Sequence, residues 1–129
     1  MNGPSEHDEQ ASLFREAMLR SRLDPRWGLL LAIPNGGMRS KATAGKLKAE
    51  GVRAGVPDLF LPVPCGLAHG LWIELKRSKG GRVSPEQEGW ARALIEQGYI
   101  VSVCYGADEA IHVMRDYLGK RVAGSAGRK

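Results

Sequence analysis

Cysteines are scarce in this chain, and long apolar runs are missing. Only two cysteines, Cys65 and Cys104, occur among 129 residues, and neither lies in a Cys-x-x-Cys pair or near clustered histidines. Two such residues do not form a disulfide framework, so we expect reduced thiols in a cytoplasmic protein. The longest apolar run, residues 27–33, is far too short to span a bilayer, and the polar, acidic first residues carry no signal-peptide pattern.

Nucleotide-binding and histidine-based metal motifs are missing as well. Gly45-Lys46 resembles the end of a phosphate-binding loop, but the glycine five residues earlier is absent, and Leu47 follows where a hydroxyl residue is needed. An NTPase and a bound nucleotide cofactor are therefore not expected. The three histidines are dispersed along the chain, and none of them is assigned to a metal site: His7, His69 and His112.

The composition is that of a small globular protein with a basic surface. A chain of 129 residues with 43% hydrophobic residues predicts one domain with one core. We place this domain at residues 5–118 and interpret the basic, Gly-containing residues 119–129 as a disordered tail. The formal net charge of +5 favours a polyanionic partner, with nucleic acid as the first expectation and no membrane.

Hydrophobic periodicity and turn signals divide the chain into helices and strands. Ser5 is predicted to cap the first helix together with Asp8, and Asp24-Pro25 ends this helical region. Ser84 is predicted to cap the third helix, with Pro85 at its first position. The predicted helices are residues 6–22, 40–50, 85–97 and 107–118, and the predicted strands are residues 27–33, 58–63, 71–76 and 99–105. This order predicts an α/β fold with helices on both faces of a four-stranded sheet.

Two carboxylates and a lysine form the most informative pattern. Asp58 follows Gly55-Val56-Pro57 at the start of a predicted strand, and Glu74-Leu75-Lys76 ends the next strand. Side chains at i and i+2 share a face, so Glu74 and Lys76 project together and Asp58 can meet Glu74 across the sheet. Such a set can hold Mg²⁺ and support phosphodiester hydrolysis. The alternative is a solvated strand with a local ion pair, but the apolar flanking residues make unpaired charge costly.

These residues resemble the signature of the PD-(D/E)XK nuclease superfamily, with Pro57-Asp58 as the PD and Glu74-Leu75-Lys76 as the EXK. The closer resemblance is to the virus-type replication-repair nuclease domain, VRR-NUC, over nearly the whole chain. Five segments carry it in order: residues 5–10, 34–37, 51–58, 74–76, and 84–87 with Trp90. The resemblance implies a restriction-endonuclease-like core, in which helices flank a central four-stranded mixed sheet. It also implies a stand-alone phage or prophage form in a bacterial or phage-infected cell.

The resemblance implies a divalent cation at the carboxylates, Mg²⁺, for which Mn²⁺ is the substitute. Asp58 and Glu74 are implied as its ligands, with the backbone carbonyl of Leu75 as a third. Lys76 is implied to position or activate the attacking water.

Two helical residues are implied as further members of the site. The first helix of the family contributes an acid; Glu6, which heads a Glu-x-x-x-Gln pattern ending at Gln10, is our choice, and Glu9 is the alternative. Capping of the first turn explains Glu6 equally well. Gln87, on the helix after the EXK strand, is implied to lie near the lysine or the water. It also completes a capping box with Ser84, and we expect both roles only if the side chain leaves the cap.

Basic and glycine-rich segments flank the proposed site, which favours contacts with a phosphate backbone. The loop after the first strand combines glycine amides with an arginine, an arrangement that suits a phosphate, although a plain turn has the same composition. We predict DNA contacts by eight residues: Asn35, Gly36, Arg39, Lys41, Arg53, Arg77, Lys79 and Arg82. No recognition-helix pattern is present, so binding by shape is expected.

The functional prediction is a metal-dependent, structure-selective DNA endonuclease that works as a homodimer. Stand-alone members of the family are dimers that act on branched DNA such as four-way junctions, so the resemblance implies a Holliday-junction resolvase. A small domain also has little room to grip a long duplex, and two-fold symmetry places two cuts economically. Two alternatives stay open here: a nuclease acting on flaps, ends or single strands, and a non-catalytic DNA-binding accessory protein with the same fold.

Overall fold

The computed structural model describes residues 3–34 and 41–119, and this part of the chain forms four α-helices, one 3₁₀ helix and four strands. The α-helices are α1 (Glu6–Arg20), α2 (Lys41–Ala49), α3 (Pro85–Glu96) and α4 (Ala107–Leu118), and the 3₁₀ helix is Pro25–Leu29. The strands are β1 (Leu31–Ala32), β2 (Leu59–Leu61), β3 (Leu71–Lys76) and β4 (Ile100–Tyr105). The predicted four-stranded mixed sheet flanked by helices is confirmed.

The sheet has the strand order β1-β2-β3-β4. β1 pairs with β2 and β2 pairs with β3 in antiparallel orientation, whereas β3 and β4 are parallel. Leu59 pairs with Ile73, and Glu74 pairs with Val103. This register fixes which residues share a face, because side chains alternate along each strand.

One face of the sheet carries the hydrophobic core. Leu71, Ile73 and Leu75 of β3 are buried there, and α1 and α4 contact β3. Leu13 of α1 and Met114 of α4 are fully buried in the same cluster. Full burial of an apolar side chain contributes about 1.5–3 kcal/mol, so these contacts fix α1 and α4 on the sheet.

The opposite face carries aromatic and charged residues and is covered by α3. Phe60 and Trp72 are half-buried, and their stacked ring centroids lie 4.2 Å apart. Glu74 and Lys76 continue the same face of β3, because they follow Trp72 at spacings of two residues. α3 contacts β4 but contains no buried residue, so this face is less completely covered than the core face.

The strand predicted for residues 27–33 is wrong for most of its length. Pro25–Leu29 forms a 3₁₀ helix, and only Leu31–Ala32 pairs with the sheet. The cause is local: Asp24 accepts a hydrogen bond from Arg26 N at 3.1 Å, and the proline occupies the first turn, where its fixed φ is favourable. The apolar run therefore begins as a turn instead of an extended strand.

The other element boundaries agree with the predictions to within two residues. Ser5 and Asp8 form the predicted capping box, with Ser5 Oγ accepting from Asp8 N at 3.0 Å. Gly51, the predicted end of α2, has a φ of +101°, which glycine adopts at little cost. None of the described helices is long and apolar enough to span a bilayer.

Candidate active site

β2 and β3 bring the two predicted carboxylates together. Their antiparallel register places Asp58, one residue before β2, opposite Glu74. Asp58 Oδ2 accepts a hydrogen bond from Leu75 N at 2.9 Å, so the side chain lies across β3. The carbonyl oxygen of Asp58 accepts from Ile33 N at 2.7 Å, which fixes its backbone beside the end of β1.

The turn before Asp58 depends on a glycine that lies very close to α3. Gly55 has a φ of +91°, in the region that favours glycine. A Cβ at this position would lie 2.7 Å from the carbonyl carbon of Glu86, well inside normal contact. Pro57 is fully buried beside it. The absence of a side chain at Gly55 therefore lets the segment before Asp58 rest on the first turn of α3.

Glu74 is the buried centre of the site. It is 4% exposed, and Lys76 is 7% exposed. Glu74 Oε2 lies 3.5 Å from Lys76 Nζ and accepts a hydrogen bond from Gln87 Nε2 at 2.9 Å. Glu74 Oε1 is buried and has no hydrogen-bond partner among the described residues. One carboxylate oxygen is thus held by two donors, while the other has none.

Burial and a neighbouring carboxylate change the protonation of Glu74. Removal from water raises the pKa of Glu74 to about 8, and the nearby Asp58 carboxylate adds to the rise. The ammonium group of Lys76 lowers this pKa but does not offset the two effects. A cation beside both carboxylates would favour the ionised form of Glu74, because opposite charge stabilises a carboxylate.

Gln87 contacts Glu74 while it stays in the cap of α3, so the prediction that its side chain would have to leave the cap is wrong. Its Oε1 accepts a hydrogen bond from Ser84 N at 2.9 Å, and its backbone N–H donates to Ser84 Oγ at 3.2 Å, which completes the capping box. The side-chain nitrogen Nε2 takes no part in the cap and donates a hydrogen bond to Glu74 Oε2. An amide has an acceptor at one atom and a donor at the other, so the side chain serves Glu74 without leaving the cap.

Of the two acids of α1, Glu9 is buried and Glu6 is exposed to solvent. Glu6 is exposed on the first turn of α1. Glu9 is 9% exposed, and its Oε1 accepts a hydrogen bond from Ala107 N at 2.9 Å, at the N-terminus of α4. A Cβ on Gly106 would lie 3.6 Å from each oxygen of Glu9, so the carboxylate rests against this glycine. Glu9 is thus the buried acid of α1 and Glu6 the exposed one, but neither joins Asp58 and Glu74 in a group of three possible metal ligands among the described residues, so the choice between them stays a prediction.

The helical spacing of the sequence favours Glu9 over Glu6 as the buried acid of α1. The buried residues of α1 are Glu9, Leu13 and Ala17, each four positions after the last. Residues four apart lie on the same face of a helix, so the apolar stripe of α1 passes through position 9 and not through position 6.

The basic residues predicted to contact DNA lie in several segments. Lys41 is exposed on α2, and Arg53 is exposed in the loop after it, where Nη1 donates to a carbonyl oxygen of α2 at 3.4 Å. Arg77 is half-buried directly after β3, and Lys79 and Arg82 are exposed in the turn before α3. The predicted contacts Asn35, Gly36 and Arg39, and the predicted tail from residue 120 onward, lie outside the described residues.

The donor atoms at this site suit a hard divalent cation. Within residues 3–34 and 41–119, no group of three or more His, Cys, Asp and Glu side chains could hold a metal ion. The site instead supplies two carboxylates, Asp58 and Glu74, next to the backbone of Leu75. Mg²⁺ is commonly bound by one or two carboxylates and completes its shell with water and substrate phosphate. The unpartnered Glu74 Oε1 is an oxygen of the kind that such an ion binds.

The chain is similar to known proteins over most of its length. The family model of the VRR-NUC domain matches residues 13–108. A solved structure titled "VRR_NUC domain protein" is similar with a TM-score of 0.81 and 27% sequence identity, over 95% of this chain and 94% of that chain. No curated protein matches the chain in sequence.

The mixed sheet, with two carboxylates opposed on neighbouring strands and helices on both faces, is a nuclease-type α/β fold of the PD-(D/E)XK class. Within that class, the chain belongs to the VRR-NUC family, as the sequence resemblance implied.

Proposed function

We propose that this protein is a divalent-metal-dependent, structure-selective DNA endonuclease that acts as a homodimer and resolves four-way junctions, in the cytoplasm of a bacterial or phage-infected cell. One observation carries the nuclease part of the proposal. Asp58, Glu74 and Lys76 lie together in a cluster that is buried at Glu74 and Lys76 and half-buried at Asp58, and one oxygen of Glu74 has no hydrogen-bond donor in the described part of the chain. Such a cluster is costly to bury unless it serves a ligand, because burial beside Asp58 disfavours the ionised form of Glu74 and leaves a buried polar oxygen without a hydrogen bond.

The cation would be held by Asp58, by Glu74 and by the carbonyl oxygen of Leu75, with Mg²⁺ as the expected ion and Mn²⁺ as its substitute. When bound, it supplies a more acidic water and neutralises charge on the phosphate. The protein residues hold this arrangement: Leu75 N orients the Asp58 carboxylate, and Gln87 Nε2 orients that of Glu74. The Lys76 ammonium group lies beside Glu74, where it orients water or stabilises negative charge on the substrate.

The homodimer has support from an exposed apolar region. Five large hydrophobic residues between positions 18 and 31 are at least 41% exposed, and Leu23 reaches 94%. They lie on the end of α1, on the segment that follows and on the edge strand β1: Met18, Leu19, Leu23, Leu29 and Leu31. Exposed apolar clusters and unpaired strand edges are typical of protein interfaces, and a two-fold axis would place two sites symmetrically.

The decisive experiment is a cleavage assay on three labelled DNAs: a linear duplex, a 5′ flap and an immobile four-way junction. Each is incubated with Mg²⁺, with Mn²⁺ or with EDTA. We expect symmetric cuts near the branch point with either ion and none in EDTA. Glu74→Ala should abolish cutting while DNA binding persists, and Glu96→Ala, which removes an exposed acid of α3, should cut like the wild type.

Other outcomes separate the alternatives. Metal-dependent cutting of flaps, ends or single strands in preference to junctions would keep the nuclease and contradict the resolvase. Binding without cutting under every ion, with Glu74→Ala unchanged, would favour a non-catalytic accessory protein and contradict the nuclease.

A further inference from the structure

A groove lined by two tryptophans lies on the α3 side of the sheet. Its volume is about 440 Å³, and Trp72 of β3 and Trp90 of α3 line it together with Val56 and Leu94. Among the described residues, Trp72 and Trp90 have no ring contact with each other. The groove therefore presents two large aromatic surfaces that do not fill it.

The groove is adjacent to the proposed metal ligands. Trp72 lies two residues before Glu74 on the same face of β3, which is about 7 Å along a strand. Val56 on the groove wall lies two residues before Asp58. A phosphate held at Asp58 and Glu74 would thus have its neighbouring nucleotides within reach of Trp72.

The groove wall at Trp72 is supported by two other aromatic rings. Phe60 stacks against Trp72 at 4.2 Å, and Tyr99 contacts it edge-on at 6.3 Å, so two rings support the indole from behind and from the side. The indole N–H of Trp72 is buried and has no acceptor among the described residues.

The rim of the groove has the charge expected around nucleic acid. Arg53 lines the groove, and α2, directly before it in the chain, carries exposed lysines at positions 41, 46 and 48. α2 has no buried residue, so its lysines are available to a strand that passes the groove. Among the described residues that line the groove, Glu50 is the single acid. The basic residues at the rim would contact the phosphates of a DNA strand, and the aromatic walls would contact one of its bases inside the groove.

From this arrangement we infer that the groove binds one unpaired nucleobase of the DNA strand next to the phosphate to be cut. This inference rests on the proposed function and extends it. A base that is paired in a duplex cannot enter, whereas an unstacked base at a branch can be held against aromatic side chains. The protein would then recognise branched DNA partly through this base.

The test compares DNA affinities in EDTA, where no cutting occurs. One flap substrate has a thymine at the first unpaired position, the second has an abasic site there, and the third DNA is a fully paired duplex. We expect the wild type to bind the thymine flap about tenfold or more tightly than the abasic flap, because base–aromatic stacking has that magnitude. Trp90→Ala should remove this preference without changing the affinity for the abasic flap, and Trp90→Tyr should restore most of it.

Several results would overturn the inference. Equal wild-type affinities for the thymine and abasic flaps would do so even if Trp90→Ala failed to fold. An equal loss of affinity for all three DNAs in Trp90→Ala would also do so. Sedimentation of each variant gives a third test. A change from dimer to monomer in Trp90→Ala would show that the groove is an interface between copies and would overturn the inference.

The inference and the nuclease proposal can fail separately. Metal-dependent cutting without base discrimination would contradict only the inference that the groove binds an unpaired base. Base discrimination without cutting under any ion would contradict the nuclease alone.

Discussion

At the scale of single residues, the site depends on side chains whose atoms serve different partners. Gln87 uses its oxygen for the cap of α3 and its nitrogen for Glu74. Asp58 uses one oxygen for the backbone of β3. These contacts orient the carboxylates before any ligand binds, so conservative substitutions at these positions should affect activity more than folding.

Gln87→Glu should separate capping from catalysis. Glutamate retains an oxygen for Ser84 N but cannot donate to Glu74, and it places a third carboxylate in the cluster. We expect a lower free energy of unfolding, because a third carboxyl group lies beside two others, and a kcat/KM for DNA cleavage lower by about tenfold or more, since hydrogen bonds to charged groups contribute about 1.5–3 kcal/mol. Ser84→Ala is the matched control: it should lose about 1 kcal/mol of stability and retain near-normal cleavage. Equal cleavage by wild type and Gln87→Glu would contradict the orienting role.

The raised pKa of Glu74 predicts how the metal-free protein responds to pH. The ordinary pKa is 4.5 and that of the folded protein is about 8, so the folded state holds the proton more tightly. This contribution to the free energy of unfolding is complete below pH 4.5 and is lost as the pH rises through about 8. Chemical denaturation in EDTA should therefore show wild type losing stability relative to Glu74→Gln over this range. Parallel pH profiles for the two proteins would contradict the assignment.

At the scale of elements, tight contacts of glycine and helix termini position the site. Gly55 brings the segment before Asp58 against α3, and Gly106 lets Glu9 reach the N-terminus of α4. Both positions join elements that are distant in the sequence. Substitutions at these two positions therefore test the fold around the site through the free energy of unfolding.

Gly55→Ala should destabilise the protein strongly. A positive φ costs a non-glycine residue about 1–2 kcal/mol, and the overlap with Glu86 should add about 1–3 kcal/mol. Gly51→Ala is the matched control, because Gly51 has a φ of +101° but no neighbour within 4 Å of the added Cβ. Urea denaturation should show the larger loss at Gly55. Equal losses would mean that the segment before Asp58 is not packed on α3 as described.

Glu9→Ala and Glu6→Ala should distinguish the two acids of α1. Glu9→Ala removes the acceptor of a buried N–H at Ala107 and should cost about 1–3 kcal/mol in the free energy of unfolding. Glu6→Ala, on the exposed first turn, should change it by less than about 0.5 kcal/mol. Cleavage rates measured on the same variants test the site: a loss of activity confined to Glu6→Ala would assign the site acid to Glu6, and a loss confined to Glu9→Ala would assign it to Glu9.

At the scale of the whole molecule, the two faces of the sheet have different roles. α1 and α4 close the apolar face over the core, whereas α3 leaves the face with Glu74 and Trp72 partly open. The basic α2 lies on no described core residue and adds positive charge near the open face. The net charge of the whole chain, +5, favours a polyanion as its partner.

Leu23→Asp should weaken the proposed homodimer. Leu23 is 94% exposed and lies within the apolar region that includes the edge strand β1, so a charge there should oppose self-association without disturbing the core. Ile95→Asp is the matched control, since Ile95 is 54% exposed on α3, away from that region. Sedimentation should show a concentration-dependent dimer for wild type and Ile95→Asp and more monomer for Leu23→Asp. A monomeric wild type at every concentration would contradict the homodimer.

The sequence by itself determined the local structure and the chemical type of the site. The capping boxes at Ser5 and Ser84 involve residues three positions apart, and the alternation of β3 has a period of two, so both are readable without a fold. The family was indicated by resemblance, through five segments in order that include the Asp58, Glu74 and Lys76 pattern. The one large error, at residues 27–33, arose because a short apolar run is compatible with both a strand and a buried turn.

Only the tertiary structure decided which residues meet. Glu9 and Ala107 are far apart in the sequence, and so are Gln87 and Glu74, and their contacts exist because α1 and α3 are held on opposite faces of one sheet. The groove between Trp72 and Trp90 has the same origin, because its walls come from β3 and α3. Local patterns determine elements through interactions between near neighbours, whereas the partners of Glu74 depend on how the hydrophobic core aligns those elements.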